Sequence, residues 1–267
     1  MNMSTAYSAL TIAGSDSGGG AGIQADLKAF AAHRVHGLSA IAALTAQNTR
    51  GVTAVHVPPV SFLRAQIDAC FDDFNIAAVK LGMLANAEVI HTVADALQTH
   101  RPDFIVLDPV MIATSGARLL EDSALDALRE RLIPMATLIT PNIPEAEFLL
   151  GRPITDAATA DAALEQLRQL GTQAVLLKGG HLHEGADVVD RYGDGSGQVR
   201  FTHPRLPLDA HGTGCTLASA ITALLCRQQP LSTACEGAIG YVARGLQWGY
   251  QPGKSPVRVL DHIGAAR

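Results

Sequence analysis

Short apolar runs alternate with longer amphipathic stretches along the first two thirds of the chain. The apolar runs are rich in aliphatic and β-branched side chains and predict buried strands at residues 10–13, 38–44, 77–81, 104–107, 137–140 and 174–177. Apolar positions with helical spacing predict helices at residues 24–34, 61–74, 87–100 and 123–132, with two more before residue 174. This alternation predicts a three-layer α/β fold, in which helices cover both faces of a mostly parallel central sheet.

The alternation ends in the last third of the chain. Two short stretches within residues 187–202 flank the glycine-rich turn 193–197 and predict a β-hairpin, and helices are expected at about 213–227 and 231–248. The polar tail after Gly249 is expected to be irregular. Because there is no internal repeat, low-complexity tract or long linker, we expect residues 1–267 to form a single domain.

The composition narrows the class of protein. A chain with 48% hydrophobic and 17% charged residues can form a well-packed core. It contains no apolar run of about 20 residues that would span a bilayer, and no signal or transit peptide is visible. The four cysteines show neither metal-ligand nor disulfide spacing, so we expect a cytoplasmic protein. A net charge of −5 without a basic stripe argues against nucleic acid as a partner and favours a small ligand.

The most informative motif is a glycine-flanked turn at residues 211–217, which leads into an apolar helix. Backbone N–H groups at a helix N-terminus bind anions, and the helix dipole adds to that attraction. The same field is expected to lower the pKa of Cys215, giving a thiol beside a phosphate cradle. The alternative is an ordinary helix start with Thr213 as its N-cap.

Polar residues also follow the predicted strands, whose carboxyl ends are the usual place for ligands in such folds. Asp108 follows one strand, and Glu145 follows the next, although a proline and an acid there also fit a plain helix start. Asp26 is either a site residue or an acid that compensates a helix dipole. Lys178, one of only four lysines, stands between a buried strand and two glycines, which favours a role in phosphate binding.

Two segments imitate nucleotide-binding motifs. Residues 20–25 match G-x-G-x-x-A, but no acid occurs between Asp26 and Asp68 to bind a ribose. Residues 249–255 resemble a P-loop, but three residues rather than four separate its glycines and a helix precedes it. Neither segment supports a nucleotide site, and a dehydrogenase is disfavoured.

Taken in chain order, eight motifs resemble the hydroxymethylpyrimidine/phosphomethylpyrimidine kinases of thiamine biosynthesis, in the ribokinase superfamily. They are AGSD at 13–16, GGAGIQADLK at 19–28, AQNT at 46–49, KLGML at 80–84, DPVM at 108–111, TPNIPEA at 140–146, KGGH at 178–181 and HGTGCT at 211–216. Each motif is weak alone, but their order is specific and spans nearly the whole chain.

This resemblance implies a ribokinase-like fold and an enzyme that uses ATP and Mg²⁺. It implies phosphorylation of 4-amino-5-hydroxymethyl-2-methylpyrimidine and then of the monophosphate formed. The residues it places around the pyrimidine are Gly14, Asp26, Gln47, Met83 and Val110. Gln47 carries a donor and an acceptor and can read an aminopyrimidine edge, while Met83 and Val110 offer apolar surface to the ring.

The resemblance also implies the phosphate-transfer machinery. Asn142 and Glu145 belong to an N-x-x-E element that holds Mg²⁺ and its waters near the nucleotide phosphates, with Asp108 close by. Lys178 neutralises the transferring phosphate. The anion hole consists of Gly212, Thr213 and Gly214, and Cys215 takes the general-base position that is aspartate in related sugar kinases. Similar proteins suggest a homodimer.

The chain departs from the family pattern at Ser17-Gly18, where Pro-Ser is common, at Asp209-Ala210, where Asn-Thr is usual, and in the tail 254–257. Two other functions stay open. Pyridoxal kinases share the fold, and some share the G-T-G-C turn, so pyridoxine or pyridoxal is an alternative substrate. A non-catalytic pyrimidine-binding regulatory module is the second alternative.

Overall fold

A computed structural model of the chain describes residues 7–111 and 122–266, without the side chain of residue 122. The strands are β1 (Ser8–Asp16), β2 (His36–Asn48), β3 (Gly51–His56), β4 (Ile76–Leu81), β5 (Phe104–Leu107), β6 (Leu138–Ile139), β7 (Ala174–Leu177), β8 (Asp187–Asp194), β9 (Gly197–Pro204), β10 (Ala210–His211) and β11 (Arg258–Val259). The helices are α1 (Gly22–Ala32), α2 (Val60–Asp73), α3 (Ala87–His100), α4 (Asp122–Ala127), α5 (Ile143–Leu150), α6 (Ala157–Arg168), α7 (Thr213–Cys226), α8 (Leu231–Gln247) and α9 (His262–Ala265).

Among the described residues, β1 to β9 form one sheet in the order β3-β2-β1-β4-β5-β6-β7-β8-β9. The six strands from β2 to β7 in this order run parallel. Strand β3 adds antiparallel at one edge, and the hairpin β8–β9 adds antiparallel at the other. The prediction of a mostly parallel three-layer α/β fold is therefore confirmed.

Alternate residues of the central strands pack on opposite faces of this sheet. In β7, Val175 and Leu177 join a core that includes residues of α2, α3, α5 and α6. The neighbouring Ala174 and Leu176 join a second core with residues of α1, α7 and α8. Because these strands are buried on both faces, their sequences are continuous apolar runs, which explains why they are visible in the sequence.

Three regions differ from the expectation. The sequence did not indicate β3, since this edge strand is half-buried or exposed throughout and lacks a clear apolar period. The tail is not wholly irregular: β11 pairs in parallel with β10, and α9 follows it, capped by Asp261. The helix predicted at 123–132 continues from α4 into a π-helical turn over Leu128–Leu132.

No helix within residues 7–111 and 122–266 combines the length and the apolar character needed to cross a membrane.

Candidate active site

A cavity of about 1000 Å³ opens at the carboxyl ends of the parallel strands. One part is lined by residues at the ends of β1, β2, β4, β5, β6 and β7 and by the N-terminus of α7, namely Gly14, Gln47, Lys80, Met83, Asp108, Val110, Asn142, Glu145, Lys178, Gly212, Thr213, Gly214 and Cys215. A second part is bounded by the β8–β9 hairpin, the segment after it and α8. Of the predicted site residues, all but Asp26 line this cavity.

Lys178 lies between two carboxylates at the ends of neighbouring strands. Its Nζ is 2.9 Å from Asp108 Oδ1 and 3.8 Å from Glu145 Oε2. Burial opposes the charge on Lys178, but the carboxylates outweigh it and raise the lysine pKa. Burial and the nearby Asp108 raise the pKa of Glu145 to about 7, against the attraction of Lys178. The cluster therefore holds two acids and one base in a mostly buried setting.

Glu145 is fixed by the helix start that carries it. The Asn142 side chain accepts from the Glu145 N–H at 2.9 Å, and Glu145 Oε2 accepts from the Asn142 N–H at 2.8 Å. This is a capping box, with Pro144 in the first turn, so the plain helix-start interpretation holds for the local structure. It leaves the Glu145 carboxylate beside Lys178, where it is available for a second role.

The helix start at α7 has the expected geometry for an anion site. Gly212 is the N-cap, with a φ of 83°, and a side chain there would overlap the carbonyl oxygen of Gly20. Thr213 is thus the first helical residue and not the N-cap. A Cβ on Gly214 would lie 3.1 Å from Lys178 Nζ, so this turn faces the lysine directly.

The expected low pKa of Cys215 is corrected by the structure. Burial raises the thiol pKa to about 11, and the nearby Lys80 opposes that rise only in part, while Asp26 and Asp108 add to it. Desolvation of the thiol therefore outweighs the lowering of its pKa that is expected at a helix N-terminus. In the ligand-free protein the thiol is therefore protonated at neutral pH.

Asp26 also differs from its expected place around the pyrimidine. It is fully buried beneath the cavity, where Oδ2 accepts from Thr11 Oγ1 at 2.6 Å and pairs with Lys80 Nζ at 3.0 Å. Its Oδ1 accepts from Ser219 Oγ at 2.7 Å. Burial raises the pKa of Asp26, and the charge of Lys80 opposes this. Asp26 thus holds Lys80 in place and has its acceptors engaged by protein groups.

Lys80 lines the cavity, although the sequence analysis assigned it no role. Burial disfavours its charge, but Asp26 outweighs this and raises the lysine pKa. The signal used for Lys178, a scarce lysine in a buried strand followed by a glycine, also applies to Lys80 and Gly82. A Cβ on Gly82 would lie 2.7 Å from Lys80 Nζ, so the glycine makes room for the ammonium group.

The residues expected around the pyrimidine, other than Asp26, come together at one end of the cavity. Met83 packs with Ala43, Ala85 and Val110 in a small apolar cluster. A Cβ on Gly14 would lie 3.0 Å from the Met83 sulfur, so these two residues lie against each other at this end.

Asp16 organises the loop next to this end. Its carboxylate accepts from the N–H groups of Gly18, Gly20 and Ala21 at 2.7–3.0 Å. Oδ2 also lies 3.3 Å from His211 Nε2. Burial raises the pKa of Asp16, but hydrogen bonds from His211 and from this backbone outweigh it and hold the pKa below its ordinary value. Sequence reasoning assigned no role to Asp16 or His211.

The second part of the cavity presents both charged and apolar groups. Asp190 Oδ1 accepts from the Gly179 N–H at 2.8 Å, and Oδ2 is 3.3 Å from His203 Nε2. Arg205 donates to the carbonyl oxygen of Gly180 at 2.6 Å. The β8–β9 hairpin and the residue after it thereby hold the turn that follows Lys178.

The carboxylates suit magnesium better than a metal that the protein binds alone. Within the described ranges, no group of three or more His, Cys, Asp and Glu side chains could hold an ion. Mg²⁺ in phosphate-transfer sites commonly uses one or two carboxylates together with substrate phosphates and water. Asp108 and Glu145 fit that pattern, because two carboxylates beside one lysine, Lys178, leave negative charge that a divalent cation can balance.

The fold and the cavity define a ribokinase-like phosphotransferase of the α/β class. Residues 16–259 match the family model described as phosphomethylpyrimidine kinase, and the chain belongs to this family. It is 48% identical to the hydroxymethylpyrimidine/phosphomethylpyrimidine kinase of Bacillus subtilis, over 90% of this chain and 89% of that protein. It is equally similar to the thiamine biosynthesis bifunctional protein ThiED of Geobacter sulfurreducens, covering 97% of this chain but only 53% of that longer protein.

Solved structures agree with this assignment. The phosphomethylpyrimidine kinase of Clostridium difficile superposes with a TM-score of 0.80 at 41% identity, covering 90% of this chain and 99% of that one. The pyridoxal kinase of Staphylococcus aureus in complex with AMP-PCP and pyridoxal gives a TM-score of 0.90 at 29% identity, covering 99% and 96%. As a kinase the chain uses ATP, and the higher sequence identity lies with the pyrimidine kinases.

Proposed function

We propose that this protein transfers phosphate from Mg-ATP to the hydroxymethyl group of 4-amino-5-hydroxymethyl-2-methylpyrimidine, and then phosphorylates the monophosphate to the diphosphate. The observation that carries the proposal is the meeting of Lys178, Asp108 and Glu145 with the N-terminus of α7 in one cavity with Gln47 and Met83. Phosphoryl transfer needs positioning and neutralisation of charge, which this arrangement offers.

In this proposal the pyrimidine lies at the end of the cavity lined by Gly14, Gln47, Met83 and Val110, and the nucleotide occupies the part near the β8–β9 hairpin. The N–H groups of Gly212, Thr213 and Gly214 bind the transferring phosphate. Lys178, whose Nζ faces Gly214, neutralises its charge. Asp108 and Glu145, with Asn142 fixing the latter, would hold Mg²⁺, and the ion would neutralise phosphate charge.

Cys215 stands where the substrate hydroxyl proton would leave. A thiol with a pKa of about 11 is protonated before ligands bind. It can accept the substrate proton only if ligand binding first causes the thiol to lose its own proton. In a loose transition state the attacking alcohol loses its proton late. Lys178 and the α7 N-terminus therefore supply more of the rate than Cys215.

The test is a product analysis by mass after mixing the purified protein with Mg-ATP and hydroxymethylpyrimidine, with pyridoxal in parallel. A diphosphate supports the two-step activity. Pyridoxal phosphate as the sole product would replace it with the kinase function of vitamin B6 salvage, an alternative favoured by the close superposition on pyridoxal kinases. Pyrimidine binding without ADP release would favour a regulatory module.

Three further parts of the proposal rest on the sequence and the family resemblance: one domain over residues 1–267, a homodimer, and a cytoplasmic location. Light scattering of the purified protein tests the dimer, and fractionation of the source cells tests the location.

A further inference from the structure

Gln47 lies between two hydrogen-bonding partners at the pyrimidine end of the cavity. Its Oε1 is 2.9 Å from Thr45 Oγ1, and its Nε2 is 2.9 Å from His211 Nε2. The two amide atoms are nearly equal in shape but opposite in character, because the nitrogen only donates and the oxygen only accepts. The orientation of the amide therefore decides where its remaining N–H donor and its remaining acceptor face a ligand.

Thr45 cannot fix this order. Its hydroxyl lies 3.0 Å from the carbonyl oxygen of Ser15 as well as 2.9 Å from the Gln47 amide. When the hydroxyl donates to Ser15, its oxygen accepts from the amide nitrogen of Gln47. When it donates to Gln47, it faces the amide oxygen. Thr45 therefore accommodates either orientation.

Asp16, acting through His211, fixes the orientation of the Gln47 amide. Its carboxylate is ionised and accepts only, and Oδ2 lies 3.3 Å from His211 Nε2. A bare ring nitrogen there would direct a lone pair at a carboxylate, so the carboxylate favours the form of His211 with the hydrogen on Nε2. This single Nε2–H group lies between Asp16 Oδ2 and the Gln47 amide, which is 2.9 Å away, and a donor shared by both requires the amide oxygen at the Gln47 position.

We propose that Asp16, acting through His211, holds the Gln47 amide turned over from the atom placement given above, with its oxygen toward His211 and its nitrogen toward Thr45, and that this orientation makes the cavity select a 4-aminopyrimidine over a 4-oxopyrimidine. Asp16 and His211 are thus positioning residues for substrate recognition. The inference rests on the proposed function for the identity of the substrate.

The chemistry of the two rings explains the selection. A 4-aminopyrimidine edge presents an N–H donor beside the N3 acceptor, whereas the 4-oxo tautomer presents an oxygen acceptor beside an N3–H donor. The ring cannot turn over to compensate, since its hydroxymethyl group must face the N-terminus of α7. A fixed amide therefore matches one edge and leaves unpaired polar groups against the other.

The experiment compares kcat/KM for hydroxymethylpyrimidine and for its 4-oxo analogue. We expect the unchanged protein to prefer the amino compound strongly. His211→Met frees the amide, and the preference should fall by about tenfold, which corresponds to about 1.4 kcal/mol. Asp16→Asn should lower the preference in the same direction, and it serves as the test if His211→Met does not fold.

Thr45→Val is the matched control within the network. It removes a partner that does not set the orientation, so both substrates should become poorer while their ratio stays the same. His56→Met, at an exposed position of β3, should change neither. An equal loss for both substrates in His211→Met and Asp16→Asn would overturn the inference, because a merely structural role lowers both.

Failure of the proposed function gives a different result. If the unchanged protein phosphorylates neither pyrimidine, calorimetry of the two compounds without ATP measures the same preference as a ratio of binding constants. A ratio that falls in His211→Met then supports the inference without the reaction. Binding of neither compound would overturn both.

Discussion

Two buried lysine–carboxylate pairs lie at the floor of the cavity, and they differ in their access to solvent. Lys80 and Asp26 are both fully buried, and Thr11 and Ser219 donate to the same carboxylate. Lys178 is 15% exposed and faces two acids, Asp108 and Glu145. The first pair balances charge within the protein. The second leaves one more acid than base at a surface that a ligand can reach.

Side chains of the same chemistry therefore serve stability in one pair and function in the other. The Lys80–Asp26 pair balances its charge within the protein, so we expect its removal to act mainly on folding. An open cluster with excess negative charge suits a divalent cation and a phosphate, so its removal acts on turnover.

The largest expected effect is on the closed pair. Asp26→Ala leaves the Lys80 charge buried without a partner, and we expect the free energy of unfolding to fall by about 3–5 kcal/mol. Urea unfolding followed by circular dichroism measures it. The matched control is Asp68→Ala, which removes an exposed partner of Arg64 and His100 and should change stability by about 1 kcal/mol or less. Equal losses in the two variants would contradict the distinction.

Removing a member of the open cluster should affect turnover more than stability. Lys178→Met removes the cation that faces Gly214, and we expect kcat to fall by about 10²- to 10³-fold, the range for losing one stabilising donor in a transition state. Steady-state kinetics with hydroxymethylpyrimidine and Mg-ATP checks this. Lys254→Met, at an exposed position of the tail, should retain full activity. A variant of Lys178 with normal kcat would remove this residue from the mechanism.

The pKa of Glu145 gives the cluster a pH signature in the ligand-free protein. Because burial raises that pKa from 4.5 to about 7, the folded state binds the proton more tightly than the unfolded state does. Stability from this group is complete below pH 4.5 and is lost as the pH rises through 7, by up to about 3 kcal/mol at about 1.36 kcal/mol per pKa unit.

Glu145→Gln should flatten this decline, because its side chain cannot ionise and can still accept from the Asn142 N–H. Chemical unfolding at several pH values between 4 and 8 measures the slope. Glu165→Gln, on the exposed face of α6, is the control and should keep the slope of the unchanged protein. The same slope in Glu145→Gln would show that another group causes it.

The smallest effect is expected at the thiol between the two pairs. Cys215→Ala should keep pyrimidine binding and lower kcat by about tenfold, since a late proton transfer contributes less than charge neutralisation. Calorimetry and steady-state kinetics together separate binding from turnover. Cys70→Ala, outside the cavity lining, should behave like the unchanged protein. An unchanged kcat in Cys215→Ala would exclude a base role for this residue.

Much of the fold could be predicted from the sequence, because strands buried on both faces must be continuously apolar. The runs ending at Leu107 and Leu177 therefore mark true strand ends, and the polar residues that follow them directly, Asp108 and Lys178, line the cavity. Strand β3 could not be predicted in this way, since an exposed edge strand needs no apolar period. The pairing of β10 with β11 depends on contacts between distant segments.

The sequence by itself determined the layered sheet, the glycine turn before Cys215 and the set of polar residues at the strand ends. Only the tertiary structure decided what surrounds each of them. It placed Asp26 under the cavity with Lys80, raised the pKa of Cys215 through burial, and brought Asp16, Gln47 and His211 together from three separate segments. Spacing along a chain fixes local geometry, whereas burial and charge depend on neighbours that the chain brings together only when it folds.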